Sequence, residues 1–99
     1  MKVRDKKEVI EVLKQNKPKF LAFGVERVGL FGSFVRDQQK EGSDVDLWVK
    51  FDPNKKNYRN FIGFSGLVER LLGRNVDLIT DESLSKYIGP YIKREMEYV

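Results

Sequence analysis

The sequence predicts an α/β domain, a small mixed β-sheet with helices packed on it, and three observations carry that expectation. From Asp44 to Phe51, apolar Val45, Leu47, Val49 and Phe51 alternate with Asp44, Asp46, Trp48 and Lys50, the period of two that marks a strand. Apolar residues recur at helical spacing in two longer stretches, Val9 to Leu13 and Phe61 to Leu72. Two short apolar runs, Arg27 to Phe31 and Val76 to Ile79, supply further strands. A length of 99 residues suits one domain over 1–99, with an N-terminal helix at about 5–16 and a core from about 25 to 99.

In chain order, Asp5 and Glu8 have capping-box spacing and open a helix that runs to Asn16. Pro18 keeps the residue before it out of helical conformation and is expected to end the helix. The Lys6, Lys7, Lys14 and Lys17 face reads as solvated surface, with an acidic partner or RNA as the alternative. The strand Arg27 to Phe31 delivers Gly32 and Ser33 at its C-terminal end, where open α/β sheets bind ligands. A short helix is expected over Phe34 to Gln39, then a turn at Lys40 to Ser43. Asp52-Pro53-Asn54 is a second turn signal, with Asp52 in a structural role.

Asn57 to Leu72 reads as a helix closed by Gly73. Gly63 and Gly66 inside it each cost about 1 kcal/mol relative to alanine. Close packing against the sheet is the expected return, with a hinge as the alternative. After the third strand, Thr80 to Ser83 starts a helix at Leu84 to Ile88. Gly89-Pro90 interrupts it, and Tyr91 to Tyr98 resumes the helical pattern. The sum is a sheet of about three strands with helices against one side.

Composition removes several chemistries. Cysteine and histidine are both absent, which excludes disulfides, thiolate sites, a His general base and a His-ligated zinc. Carboxylates must do any acid-base or metal work. The net charge of +4 suits a triphosphate, a nucleic acid or an acidic partner, and equally an ordinary Lys-rich surface. The N-terminus has no apolar signal region and no run approaches membrane-spanning length, so a cytoplasmic protein without membrane association is expected.

The chemistry concentrates between Leu30 and Phe51. Side chains at i and i+2 of a strand point the same way, so Asp44 and Asp46 project together. Paired carboxylates repel unless a cation joins them, and a hard ion such as Mg²⁺ favours carboxylates, water and substrate phosphates as ligands. Gly32 allows close backbone approach to a phosphate. Ser33 at a helix start offers a hydroxyl and free N–H groups to an anion. A tight turn for Gly32 and an N-cap for Ser33 are the plain structural readings, and both are compatible with phosphate binding. Trp48 shares the aspartate face. Packing under a covering helix is the expectation for it, and base stacking the alternative. Asp77 alternates with Val76 and Leu78, so it faces away from its apolar neighbours.

Gly32-Ser33, ten residues, then Asp44-Val45-Asp46 resembles the signature of the DNA polymerase β-like nucleotidyltransferase superfamily. The surrounding text, GLFGS and SDVDLWVKFDP, is similar to its minimal nucleotidyltransferase (MNT) branch, many members of which are antitoxins paired with HEPN-domain toxins. The resemblance runs from about Val25 to the C-terminus, with Asp77 at the third acidic position. It implies a polymerase β-like fold and Mg²⁺-dependent transfer of AMP from ATP to a tyrosine hydroxyl of a HEPN RNase toxin. It also implies two Mg²⁺ ions and catalytic, metal-holding roles for Asp44, Asp46 and Asp77, with Gly32 and Ser33 on the terminal phosphates. Family members often carry Arg directly after the Gly-Ser. Phe34 stands there in this chain, which leaves Arg36 as the candidate positive charge. So short a chain has no room for its own acceptor domain, so the acceptor is expected on another macromolecule, in a hetero-oligomer with the toxin or beside a homodimer. Nucleic acid is not expected as direct substrate. Two alternatives stay open: a non-catalytic antitoxin that acts by binding, and a nucleotidyltransferase for a small molecule or an RNA end.

Overall fold

In the computed structural model, which describes residues 2–86 and 88–99, four strands among those residues build one sheet: β1 (Val25–Phe31), β2 (Val45–Phe51), β3 (Val76–Ile79) and β4 (Glu97–Tyr98). Their spatial order is β3-β2-β1-β4. β2 runs antiparallel to β1 and parallel to β3, and β4 runs antiparallel to β1. The mixed sheet is as the sequence predicts. β1 begins two residues earlier than expected, with a register irregularity between Val25 and Arg27.

α1 (Lys6–Phe20) starts under the expected cap, the Asp5 carboxylate accepting from the Glu8 N–H at 2.9 Å. It does not stop at Asn16. Pro18 lies inside the last turn, where it forfeits one backbone bond. Burial of Phe20, edge-on to Phe64 with ring centroids 5.0 Å apart, holds the turn in place. α2 (Tyr58–Leu72) is capped by the Asn57 side chain, which accepts from the Asn60 N–H, and ends at Gly73 in left-handed conformation. Gly63 serves close packing, but against the Phe23 ring and not the sheet. Gly66 meets only the Arg70 side chain, so the expected close packing is absent there.

The period of two in β2 divides the protein. Val45, Leu47, Val49 and Phe51 face a core that includes Val9, Leu13 and Phe20 of α1 and Phe64, Val68 and Leu72 of α2. Trp48 faces the other way with Phe31 and Met96, against Ile79, Leu84 and Ile92. α3 (Gly89–Glu95) contributes Ile92 there, so helices lie on both faces and not on one. The core role expected for Trp48 holds: it is buried, and its Nε1–H donates to Asp81 Oδ1 at 2.9 Å.

The C-terminal third departs most from expectation. Asp81–Ser83 is a single 3-10 turn, and residues 84–86 do not continue it as a helix; Tyr87, within the expected Leu84 to Ile88 helix, lies outside the described residues. α3 starts at Gly89-Pro90, where an interruption was expected, because proline suits a first helical turn. The helix does not reach Tyr98. Met96 turns extended, and Glu97 and Tyr98 pair with Leu30 and Gly29. Gly29 makes this possible, since a Cβ there would collide with the Met96 side chain. Pairing covers an edge of β1 that would otherwise stay open.

Candidate active site

Gly32 and Ser33 follow β1 directly, and Phe31 pairs with Asp46 across the sheet. Asp46 in turn pairs with Asp77 in the parallel β2–β3 register. The strands thus set Phe31, Asp46 and Asp77 side by side at one end of one face. Asp44 stands just before β2 and is exposed, as is Asp77, while Asp46 is half-buried. The sheet brings the three aspartates of the sequence analysis to one end, around Asp46.

Gly32 is held at φ +79°, and a Cβ there would collide with Asp46 Oδ2. Backbone and carboxylate touch only because the side chain is missing. The helix expected over Phe34 to Gln39 does not form. Gly32–Phe34 make one 3-10 turn, the Val35 and Arg36 N–H groups both donate to Gly32 O, and Asp37 turns left-handed at φ 57°. Phe34 is the reason: it is fully buried, with the Arg74 guanidinium over its ring at 5.0 Å, and it draws the chain into the core. Ser33 therefore stands at a tight turn and not at the start of a full helix.

Two residues that local patterning did not single out complete the site. Glu95, at the end of α3, accepts from the Gly32 N–H at 3.1 Å and takes both its oxygens to Arg36 Nη1 at 3.0 Å. Arg36 is thus in the site, engaged by a carboxylate. Buried Arg74 donates to the carbonyls of Val3, Lys40, Glu41 and Ser43, at 2.7 to 3.2 Å. That clamp fixes the turn immediately before Asp44. Neither contact has a sequence-local signal, since each joins residues tens of positions apart.

Electrostatics centre on Asp46. Burial raises its pKa from 3.8 to about 6, and the charges of Asp77, Asp44 and Glu95 push the same way, against Arg36. Among the described residues, no three carboxylates stand close enough to grip a single ion by themselves. The donor set nevertheless fits a hard divalent cation. It is all oxygen, it carries unneutralised negative charge at Asp46, and Mg²⁺ takes only one or two carboxylates besides phosphate and water.

The same shift gives a stability prediction. The folded protein holds the Asp46 proton more tightly than the unfolded chain, so this group favours folding below about pH 4, and the contribution is lost as pH rises through about 6. Asp46→Asn is expected to stabilise the metal-free protein at pH 8 by about 1 kcal/mol, after allowance for solvent screening of a half-buried group. That amounts to a Tm gain of about 4–8 °C. The gain should disappear at pH 4. Thermal unfolding at the two pH values checks it, and an equal gain at both would assign the effect to packing.

A family model described as a nucleotidyltransferase domain matches residues 6–99. The protein MJ1379 of Methanocaldococcus jannaschii is 40% identical over 95 residues, which span 91% of this chain and 89% of that one. Protein adenylyltransferase MntA of Thermococcus cleftensis is 43% identical over 77 residues, 78% of this chain and 77% of that one. A solved structure assigned as a minimal nucleotidyltransferase superposes with a TM-score of 0.72 at 28% identity, over 89% of this chain and 93% of that chain. A toxin–antitoxin crystal structure with AMP-PNP shares the fold at a TM-score of 0.64 and 20% identity, covering 96% of this chain and 72% of that chain.

Proposed function

The chain belongs to the nucleotidyltransferase domain family, and from that premise we propose that it transfers AMP from ATP to a tyrosine hydroxyl of a HEPN-domain RNase toxin and so acts as its antitoxin. One observation carries the reading: Asp46, with its pKa raised by burial and by neighbouring carboxylates, lies against the Gly32 backbone at the end of the sheet. Negative charge gathered beside a close-approach glycine suits a cation and a phosphate together. The protein adenylyltransferase MntA relative supports adenylyl transfer to protein, and the AMP-PNP complex of the shared fold supports ATP as donor.

Gly32 and Ser33 receive the terminal phosphates, with Arg36 adding positive charge. Asp44, Asp46 and Asp77 would between them hold two Mg²⁺ ions, no single ion taking all three carboxylates. Bound there, the ions would neutralise charge on the triphosphate and lower the pKa of the attacking hydroxyl. That help is needed, because a tyrosine hydroxyl has a pKa near 10. The tyrosine oxygen bonds to the α-phosphorus, the bond to the bridging oxygen breaks, and pyrophosphate leaves. Asp77, at the outer strand and exposed, serves the attacking side and passes the phenolic proton to water. Among the described residues no helix is long and apolar enough to cross a membrane, and a cytoplasmic location, where ATP and a toxin meet, fits this reading.

Asp77→Asn tests the division of roles. It should keep ATP affinity within about threefold and lower transfer by about 10²-fold or more, the range for loss of acid–base assistance. Calorimetry with ATP and Mg²⁺ beside a transfer assay reads both. A proportional loss of binding and transfer would make Asp77 a nucleotide ligand. The same assay, offered small hydroxyl compounds and RNA ends in place of the toxin, should show little transfer. Preference for either would replace the protein acceptor.

A further inference from the structure

We propose that Glu95 is a built-in substitute for phosphate, which occupies the anion position of the nucleotide site and must be displaced before ATP binds. The proposal rests on the nucleotidyl-transfer reading and names how that site is regulated. Its basis is the identity of the donors that Glu95 uses. The Gly32 N–H donates to Glu95 Oε1 at 3.1 Å, and Arg36 Nη1 donates to both carboxylate oxygens at 3.0 Å. A backbone N–H beside a guanidinium is the pairing that recognises a phosphate oxygen, and carboxylate satisfies it with the same charge-assisted bonds. These are two of the three groups assigned to the triphosphate. The Nε–H of Arg36 is turned to Gln38 Oε1 at 3.0 Å, which holds the guanidinium in the orientation that presents Nη1 to Glu95.

Glu95 also places a third negative group near Asp46, beside Asp44 and Asp77. A triphosphate entering the site meets that charge as well as the occupied donors. Removal of the Glu95 side chain from the site therefore helps the nucleotide twice, by freeing Gly32 and Arg36 and by lowering repulsion.

The contact is built to open. Glu95 is the last residue of α3, directly before Met96, which is buried against Gly29. Glu97 and Tyr98 then pair with β1. The backbone on the C-terminal side is therefore anchored, while the Glu95 side chain is one-quarter exposed and Arg36 one-half. Rotation of side chains at that surface releases the donors without loss of the sheet.

The test is the affinity for ATP with Mg²⁺, measured by calorimetry on wild type, Glu95→Gln and Glu95→Ala, with thermal unfolding as a check that each is folded. The expected result is ATP binding about tenfold tighter in both variants, equivalent to ~1.4 kcal/mol, with a lower KM and a smaller change in kcat. A second measurement separates competition from simple loss of an ion pair. Arg36→Ala should weaken ATP binding more in the Glu95→Ala background than in wild type, because only there is Arg36 free for phosphate. Wild-type binding with equal or weaker binding in folded Glu95 variants overturns the proposal alone, and makes Glu95 a residue that positions Arg36 or the nucleotide. No ATP binding by any of the proteins overturns it together with the functional reading on which it rests.

Discussion

Asp44→Asn combined with Asp46→Asn is expected to leave a folded protein that binds no ATP in a metal-dependent manner and transfers no AMP. Two neutral amides cannot hold the divalent ions that a triphosphate needs beside it. Metal assistance contributes several kcal/mol to such a reaction, which corresponds to a loss of about 10³-fold or more. The fold should survive because the strand is held from its other face, where Val45, Leu47 and Val49 are fully or almost fully buried. Stability at pH 8 should even rise, since the repulsion around Asp46 is removed. Calorimetry with and without Mg²⁺, beside a melting curve, separates the two effects. Undiminished metal-dependent ATP binding in the double variant would place the nucleotide elsewhere on the protein.

Gly32→Ala is the second large effect. A methyl group there collides with Asp46 Oδ2 and crowds its Cγ at 2.8 Å. The residue also sits at φ +79°, which costs an L-residue about 1–2 kcal/mol. Relief requires movement of Asp46 or of the turn, and either separates the carboxylate from the phosphate donors. Transfer is expected to fall by about 10²-fold or more, as misplacement by about an ångström can cause, with a Tm loss of several degrees. Near-normal transfer by Gly32→Ala would mean that the close approach of backbone and Asp46 is incidental.

Periodicity made the sheet legible, because β2 alternates strictly and each of its faces became a distinct core. The same alternation set Asp44 and Asp46 on one face of that strand, while the pairing of Asp46 with Asp77 depends on the β2–β3 register. Sequence reading failed where tertiary contacts overrode local preference. Pro18 belongs inside α1 because Phe20 has a partner in Phe64, and Phe34 forbids the helix after Ser33 because it is drawn into the core. Glu97 and Tyr98 look helical until the free edge of β1 and the bare surface of Gly29 are in view. Of the candidate site, Gly32-Ser33, Asp44 and Asp46 were readable from their spacing, and Asp77 only through the family resemblance. Glu95 and Arg74 were not, since an acid 63 residues from Gly32 and an arginine bonded to four distant carbonyls leave no mark on a local window.

Adenylyl transfer to a partner protein is the centre of the account, and the intact mass of that partner measures it most directly. A HEPN-domain toxin incubated with this protein, ATP and Mg²⁺ should gain the mass of one or more AMP groups on a tyrosine and lose its RNase activity. The Asp44→Asn/Asp46→Asn protein should add no mass and leave the RNase active. Because the chain carries a net charge of +4, an acidic partner surface would make the rate fall with rising salt. A toxin silenced equally by wild type and the double variant, with no mass added by either, would contradict the account and leave an antitoxin that acts by binding alone.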